Sequence, residues 1–317
     1  MLQDIEKRKD DMVRKFKSLR GIMIMAGILS LTACSATENH VKVAEYEISK
    51  ESQTIDLDDV ANARQLGGYV CKDGRKIKDN RLLRTSQLSD ISDETVKLLS
   101  EKYHVRDMID FRMDSEKEEK PDRSIDGIQY THISVFEPDL YDENLRRELG
   151  KIVSSKDDEF QKMIQCADLG VTFQMYRDIL LSERAQKGYS QFFDILLDQE
   201  DGAVLWHCTY GKDRTGIASA LLLYALGADE DTIRKDYILS NAYYQDKIDD
   251  LTKKAEEMDC DENALKEIKA VGGVNEEYLE ATWNSIKEEY GSVHDYLNHQ
   301  LGVSDEDMKK LQDQYLE

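Results

Sequence analysis

The sequence has 317 residues, of which 40% are hydrophobic and 34% are charged, and its formal net charge is −22 at pH 7. This length allows one large domain or two small ones, with enough apolar residues for a sizeable core. Such an acidic chain is a poor partner for nucleic acid and is repelled by anionic lipid headgroups. A site for any anion would therefore have to be built locally, from a few cations and oriented backbone N–H groups.

The N-terminal segment has the charge pattern of an export signal. Residues 1–20 are rich in lysine and arginine, and residues 21–33 form an uncharged run. This run is too short for a stable transmembrane helix but suits the apolar core of a signal peptide. It ends in Leu31-Thr32-Ala33-Cys34, which resembles a bacterial lipobox. We predict a lipoprotein signal peptide over residues 1–33, and a lipid anchor on Cys34 that holds the protein at the extracytoplasmic face of the cell membrane.

The alternative for this segment is a weakly membrane-associated helix with a chance cysteine. The other cysteines are Cys71, Cys166, Cys208 and Cys260, and no two of the five form a C-x-x-C pair. A zinc site or a redox dithiol is therefore a weak interpretation, and we predict no metal and no cofactor. If Cys34 is lipidated and Cys208 has the separate role argued below, three cysteines remain. This odd number argues against a disulfide framework but leaves a single bridge open.

Residues 34–54 are polar and lack clear periodicity, which predicts a tether between the lipid and a folded domain over residues 55–317. Early in that domain, Lys72-Asp73-Gly74-Arg75 predicts the turn of a hairpin. Ser92 is a candidate N-cap for a helix that runs to Tyr103. Buried strands are expected over residues 105–111 and 127–135.

Residues 139–182 have a helical pattern rich in charge, and residues 185–197 predict a further helix with one apolar face. A short apolar strand, residues 203–206, precedes a nearly all-apolar helix over residues 217–226, which Gly227 ends. The rest of the chain is predicted to be helical. Strands that alternate with helices indicate an α/β fold with a central sheet flanked by helices.

The decisive segment lies between that strand and that helix. It is His207-Cys208-Thr209-Tyr210-Gly211-Lys212-Asp213-Arg214-Thr215-Gly216, in which five residues separate the cysteine from Arg214. A loop of this kind at a helix N-terminus can direct successive N–H groups inward and cradle an anion. The same positive surroundings favour a thiolate on Cys208, which can attack phosphorus and form a phosphocysteine.

The neighbouring side chains have distinct expected roles in that chemistry. The planar guanidinium of Arg214 would bind two phosphate oxygens and stabilise the charge that spreads in the transition state. The hydroxyl of Thr215 would assist departure of the sulfur, and His207 would order the loop. The substrate-binding positions are expected to be Thr209, Tyr210, Gly211, Lys212 and Thr215. The alternative, a buried inert cysteine with a chance arginine, fits ten contiguous residues poorly.

This loop, H-C-x-x-G-K-D-R-T-G, resembles that of the bacterial tyrosine phosphatases related to the secreted mycobacterial enzyme, and the resemblance runs from residue 55 to the C-terminus. Upstream, residues 62–68 resemble the family's N-x-R-D-L-G-G, with Gln65 in place of the usual aspartate. Other segments that resemble family motifs are Leu83–Leu88, Asp110–Arg112 with Glu116 and Pro121-Asp122, and Asp236–Asn241. The resemblance implies a cysteine-phosphatase fold in which residues 139–182 form a helical lid, with ordinary helix packing as the alternative for that segment.

The resemblance also implies that Asp213 is the general acid. The competing interpretation is that Asp213 only pairs with Lys212 or Arg214, while Asp110 at a strand end supplies the proton. Lys212 has two interpretations as well, since it could bind a second phosphate on the substrate or simply balance Asp213. In the lid, Phe173, Met175 and Tyr176 could shield the thiolate from oxidation.

We therefore predict an enzyme that hydrolyses phosphotyrosine, with phosphoserine, phosphothreonine and phosphoinositides as further candidate substrates. The alternatives are a dedicated phosphoinositide or inositol-phosphate phosphatase and a phosphate-binding pseudophosphatase. The intact Cys208, Asp213 and Arg214 argue against the pseudophosphatase. The expected partners are a phosphorylated protein or phospholipid and the membrane that holds Cys34.

Overall fold

A computed structural model describes residues 48–317, apart from residues 158 and 170. The predicted signal peptide, Cys34 and most of the predicted tether lie outside the described residues. Lys50–Gln53, which we placed in the tether, form a short helix, α1. The side-chain amide of Gln53 is buried and donates to the carbonyls of Gln65 and Gly67. The folded domain therefore begins before the predicted boundary at residue 55.

The strands of the described residues form one mixed five-stranded sheet in the order β1-β2-β5-β3-β4. They are β1 (Arg64–Gln65), β2 (Leu82–Thr85), β3 (Val105–Asp110), β4 (Gln129–His132) and β5 (Ala203–His207). Only the β1–β2 pairing is antiparallel. The expected α/β fold is confirmed; β3 and β4 are shorter than the predicted residues 105–111 and 127–135, and β5 is one residue longer than the predicted 203–206.

The central strand β5 is buried along its whole length, because helices and loops cover both faces of the sheet. Its successive side chains point to opposite faces, so Val204 and Trp206 join one apolar cluster while Ala203 and Leu205 join the other. β5 pairs with β2 on one side and β3 on the other. The carboxyl ends of these three parallel strands therefore meet at one edge of the sheet.

Besides α1, six α-helices in the described part of the chain precede β5, and three of them, α4 to α6, lie within the predicted lid. They are α2 (Asp93–Lys97, continued as a π-helix over Leu98–Lys102), α3 (Asp114–Glu119), α4 (Glu143–Ser154), α5 (Glu159–Asp168), α6 (Val171–Leu181) and α7 (Glu183–Asp198). Ser92 accepts a hydrogen bond from the backbone N–H of Thr95, which confirms the predicted cap. The helical pattern predicted over residues 139–182 is confirmed as well.

The C-terminal third of the chain is helical, as predicted. Its helices are α8 (Arg214–Ala225), α9 (Glu230–Tyr243), α10 (Gln245–Glu257), α11 (Glu262–Gly272), α12 (Glu276–Tyr290), α13 (Val293–Asp295, continued as a π-helix over Tyr296–Gln300) and α14 (Asp305–Tyr315). Within the described part of the chain, no helix is both long and apolar enough to span a bilayer.

The predicted hairpin near residue 72 is a tight turn rather than a pair of long strands. Val70 and Lys76 form an isolated antiparallel bridge, and the N–H of Cys71 donates to the carbonyl of Arg75. Gly74 has a φ of 88°, a conformation that glycine adopts without a steric cost. The second strand expected for this hairpin was residues 76–83; its last two residues, Leu82 and Leu83, instead belong to β2, which pairs with β1 and β5 and is buried on both faces.

Candidate active site

The predicted phosphate loop lies at the sheet edge where β2, β3 and β5 end. β5 ends at His207 and α8 begins at Arg214, so the six residues from Cys208 to Asp213 connect a strand to a helix N-terminus. The side chain of Cys208 is buried, with 1% of its surface exposed. This is the strand–loop–helix arrangement that the sequence predicted, and it places the loop where a helix dipole favours an anion.

Gly211 explains the close fit of this loop against β2. Its φ is 62°, and a Cβ atom there would collide with the backbone carbonyl of Thr85. The carbonyl of Gly211 accepts two hydrogen bonds, from the amide of Asn62 at 2.9 Å and from the guanidinium of Arg84 at 2.8 Å. Both donors are buried. The loop is therefore held in place by one residue from each of two upstream family motifs, residues 62–68 and Leu83–Leu88.

Arg84 belongs to a buried ionic cluster beneath the loop. Asp236 accepts a bond from Arg84 Nη1 at 2.5 Å and one from Arg64 Nε at 3.2 Å. Burial, together with repulsion from Arg64, lowers the pKa of Arg84 to about 10. Two guanidinium groups facing one carboxylate leave a net positive charge beneath the loop, which favours an anion above it. The outer motifs thus contribute the electrostatic support of the loop.

Arg214 is held by Glu116, a residue that we quoted in a motif but did not predict as part of the site. Arg214 Nη1 lies 2.5 Å from Glu116 Oε2, and Arg214 Nη2 lies 3.0 Å from Oε1. Burial alone would raise the pKa of Glu116, but the bonds and the charge of Arg214 outweigh it and lower that pKa. Thr209 also donates its hydroxyl to Glu116. This two-point contact fixes the orientation of the guanidinium.

Replacing Glu116 with glutamine is expected to lower kcat/KM for a phosphotyrosyl peptide by about ten- to a hundredfold, because a guanidinium displaced by even 1 Å misaligns the phosphate. Steady-state kinetics on the purified variant measure this loss. Glu118 is exposed on the same helix and has no contact with the loop in the described structure, so Glu118→Gln is the matched control. An unchanged kcat/KM in Glu116→Gln would show that Arg214 needs no such support.

Asp213 contacts a residue of the predicted lid. Tyr176, on α6, donates its hydroxyl to Asp213 Oδ1 and accepts a hydrogen bond from Tyr237 at 2.7 Å. The ring of Tyr176 is buried and stacks on Tyr278 of α12, with 5.0 Å between ring centroids. The sequence analysis considered Tyr176 only as a side chain that could shield the thiolate from oxidation. The structure adds a direct bond between the lid and the predicted general acid.

Comparison with known proteins agrees with this geometry. A sequence model described as "Tyrosine phosphatase family" matches residues 55–317. The chain belongs to the tyrosine phosphatase family. The phosphatase is thus a phosphoric monoester hydrolase with an α/β fold, as predicted.

Curated relatives of the phosphatase come from several bacteria. A protein of Cupriavidus necator named as a tyrosine-protein phosphatase is 27% identical over 272 residues, which cover 82% of this chain and 87% of the relative. The "triple specificity protein phosphatase PtpB" of Mycobacterium tuberculosis is 29% identical over 255 residues, 74% of this chain and 90% of the relative. A tyrosine-protein phosphatase of Nostoc commune is 30% identical over 129 residues, 40% of this chain and 44% of the relative.

Lys212 of the phosphatase points toward a helix end rather than into open solvent. Its ammonium group donates to the carbonyl of Ala270 at 3.1 Å and to that of Gly273, and it lies 3.5 Å from Asp213 Oδ2. Its exposed fraction is only 4%. In this arrangement the cation balances Asp213 and the C-terminal carbonyls of α11, a favourable position for a positive charge. The structure therefore favours the interpretation in which Lys212 balances the charge of Asp213, over a contact between Lys212 and an additional phosphate on the substrate.

Asp110 of the phosphatase, the alternative candidate for the general acid, has surroundings that disfavour that role. It is fully buried, and its carboxylate accepts bonds from Arg112 at 2.8 to 3.0 Å and from Tyr130 at 2.8 Å. Burial opposes its ionisation, but His207 and Arg112 outweigh burial and hold the pKa of Asp110 well below its usual range. These surroundings favour the ionised form of Asp110, which makes it a poor proton donor near neutral pH.

His207, which we expected to order the loop, lies between the buried carboxylates of Asp110 and Asp122. Its Nε2 is 3.1 Å from Asp122 Oδ2, and its Nδ1 is 3.8 Å from Asp110 Oδ1. Burial lowers the pKa of His207, but attraction to Asp110 and Asp122 outweighs burial and raises it. Asp122 also accepts a bond from Arg112 at 2.6 Å. This network joins the end of β5 to the segment after α3.

The remaining predicted positions have varied surroundings. Tyr210 exposes 45% of its surface, whereas the hydroxyl of Thr215 is buried and has no hydrogen-bond partner among the described residues. The structure does not contain the predicted bond from Thr215 to the sulfur, but the unpaired buried hydroxyl is available to form it. Met175 packs against the apolar core, and the side chain of Phe173 lies outside the described structure. The four cysteines in the described residues are free thiols.

Proposed function

We propose that this phosphatase hydrolyses phosphotyrosine in proteins through a phosphocysteine on Cys208. In the first step a sulfur–phosphorus bond forms while the bond from phosphorus to the tyrosyl oxygen breaks, and Asp213 gives its proton to that oxygen. In the second step the Asp213 carboxylate takes a proton from water as the water oxygen attacks phosphorus, the sulfur leaves as a thiolate, and inorganic phosphate departs. Thr215 would hydrogen-bond the departing sulfur.

The observation that carries this proposal is the two-point contact of Arg214 with Glu116, at the end of the loop that begins with Cys208. Burial lowers the pKa of Arg214, but attraction to Cys208 and Glu116 outweighs burial and raises it above its usual value. The guanidinium therefore stays charged in a dry site, where it stabilises a phosphoryl group strongly. The loop carbonyls are tied down by Asn62 and Arg84. Little reorganisation is then needed when phosphate binds.

Access to the thiol requires a change at the lid. Cys208 is buried, and Tyr176 of α6 is bonded to Asp213. We propose that residues 139–182 act as the lid, and that substrate enters when Tyr176 leaves Asp213. The closed arrangement would keep solutes away from the thiolate and limit its oxidation.

A panel of substrates tests the proposed function. Phosphotyrosyl and phosphoseryl peptides of one sequence, phosphoinositides and soluble inositol phosphates are compared by kcat/KM. Phosphotyrosyl peptide is expected to be turned over fastest, and activity on the other classes would extend the proposal to the broader specificity named for the mycobacterial relative. A preference for inositol phosphates with slow peptide turnover would favour the dedicated phosphoinositide phosphatase. Binding of every class without turnover would identify a pseudophosphatase.

We also propose that the phosphatase is exported and anchored by lipid on Cys34. The support is the basic N-terminal segment, the uncharged run and the lipobox-like end. One acyl chain binds membranes only marginally, so stable anchoring needs both chains of a diacylglycerol group.

Cys34→Ala is expected to release most of the phosphatase from the membrane fraction and to block cleavage before residue 34. Cell fractionation and intact mass of the recovered protein measure both effects. Ser35→Ala, a change at the next residue, is the control and should stay lipidated. Membrane retention and processing of Cys34→Ala that match the unmodified protein would contradict the proposed anchor.

A further inference from the structure

An aromatic and cationic rim borders the phosphate loop on the side of α10. Tyr210, in the loop, exposes 45% of its surface, and the ammonium of Lys247 lies 4.0 Å from the centroid of its ring. Tyr244 donates its hydroxyl to the carbonyl of Tyr210 at 2.6 Å, and the two rings meet edge to face. The start of α10 is thus fixed to the loop, so the position of Lys247 relative to the phosphate site is set.

Lys247 differs from most cations of this acidic chain because it has no carboxylate within ion-pair distance among the described residues. It is half-buried. Burial and repulsion from Lys212 lower its pKa, while attraction to Asp213 opposes them. A partly desolvated ammonium with only an aromatic ring beside it gains free energy when an anion arrives.

Among the described residues, the rim has one positive charge available for a ligand, which suits a ligand group with a single negative charge. Lys212, the neighbouring cation, is already bound to two backbone carbonyls and to Asp213. Lys247 therefore offers one positive charge, which suits a carboxylate better than a phosphate dianion. The exposed ring of Tyr210 also gives an apolar surface for the side chains beside a phosphorylated residue.

We infer that Tyr210 and Lys247 form a subsite for an acidic residue next to the phosphotyrosine of a protein substrate. This inference rests on the proposed function, since it concerns the peptide that enters the same site. The ammonium of Lys247 binds the carboxylate of the substrate, and Tyr210 holds the ammonium in place. The subsite selects acidic phosphotyrosyl sequences even though the enzyme as a whole is negatively charged.

The test compares two phosphotyrosyl peptides that differ only in Glu or Gln at the residue after phosphotyrosine, at low ionic strength. The unmodified enzyme is expected to prefer the Glu peptide by about three- to tenfold in kcat/KM, the range for one partly buried ion pair. Lys247→Met should remove this preference through KM and leave the Gln peptide nearly unaffected. Lys254→Met changes an exposed lysine of the same helix and should keep the preference.

Each other outcome overturns the inference in a recognisable way. An equal loss on both peptides in Lys247→Met would mean that Lys247 only supports Tyr210. The absence of a Glu preference in the unmodified enzyme would show that no such subsite exists. If Lys247→Met slowed an inositol bisphosphate but neither peptide, the rim would bind a second phosphate instead. An unmodified enzyme that hydrolysed inositol phosphates but neither peptide would overturn the proposed function itself.

Discussion

Replacing Cys208 with serine is expected to lower kcat for a phosphotyrosyl peptide by at least about a thousandfold, the scale on which loss of a nucleophile acts. A serine hydroxyl is not ionised near neutral pH and cannot attack phosphorus as a thiolate does. Arg214 and the loop backbone are unchanged, so the variant should still bind the peptide. Turnover assays and titration calorimetry with the same peptide measure the two properties.

Cys260→Ser is the control for this substitution, because Cys260 is a half-buried free thiol that follows α10, outside the phosphate loop. It should keep the activity of the unmodified enzyme. Activity of Cys208→Ser above about one per cent of that level would exclude Cys208 as the nucleophile. A loss of peptide binding with the fold intact would show that the sulfur itself contributes to the phosphate cradle.

Replacing Asp213 with asparagine is expected to slow hydrolysis of tyrosyl and alkyl phosphates by about a hundred- to ten-thousandfold, the contribution of a well-placed general acid. An activated aryl phosphate such as para-nitrophenyl phosphate should lose far less, because its phenolate leaves without a proton. Asparagine keeps the shape of the side chain and can still accept a bond from Tyr176. The measurement is kcat for a series of aryl phosphates of increasing leaving-group basicity.

Tyr176→Phe separates the two possible roles of Asp213. This change removes the bond from the lid and keeps the carboxyl group, so its dependence on leaving-group basicity should match that of the unmodified enzyme. An equal loss on activated and unactivated substrates in Asp213→Asn would indicate that Asp213 is structural, a partner of Tyr176 and Lys212. Asp110 would remain an unfavourable candidate for the acid, because its carboxylate is buried and accepts bonds from Arg112 and Tyr130.

The sequence predicted those features that short-range chemistry determines. The cap at Ser92, the apolar strand before Cys208 and the buried helix after it follow from local residue patterns, and the structure contains all three. Such constraints act within a few residues or through simple alternation, so they can be recognised without coordinates.

The contacts that sequence reasoning missed join residues far apart in the chain. Glu116 meets Arg214 across 98 positions, and Tyr176 meets Asp213 across 37. Lys212 turns toward the end of α11, 58 positions away. In an acidic chain with 65 aspartates and glutamates, many carboxylates could pair with Arg214, and only the fold selects one. The family motif around Glu116 was the available sign that this residue belongs to the site, but the motif does not indicate which cation the carboxylate binds.

The most direct test of the account is to trap the covalent intermediate. The enzyme is mixed with a phosphotyrosyl peptide that carries radioactive phosphate, quenched in denaturant within the first turnover, and analysed by peptide mapping. We predict transient labelling that approaches one phosphate per chain, located on Cys208 and absent from Cys208→Ala. Complete turnover of the peptide with no labelled protein at any time, or a label on another residue, would contradict the proposed mechanism.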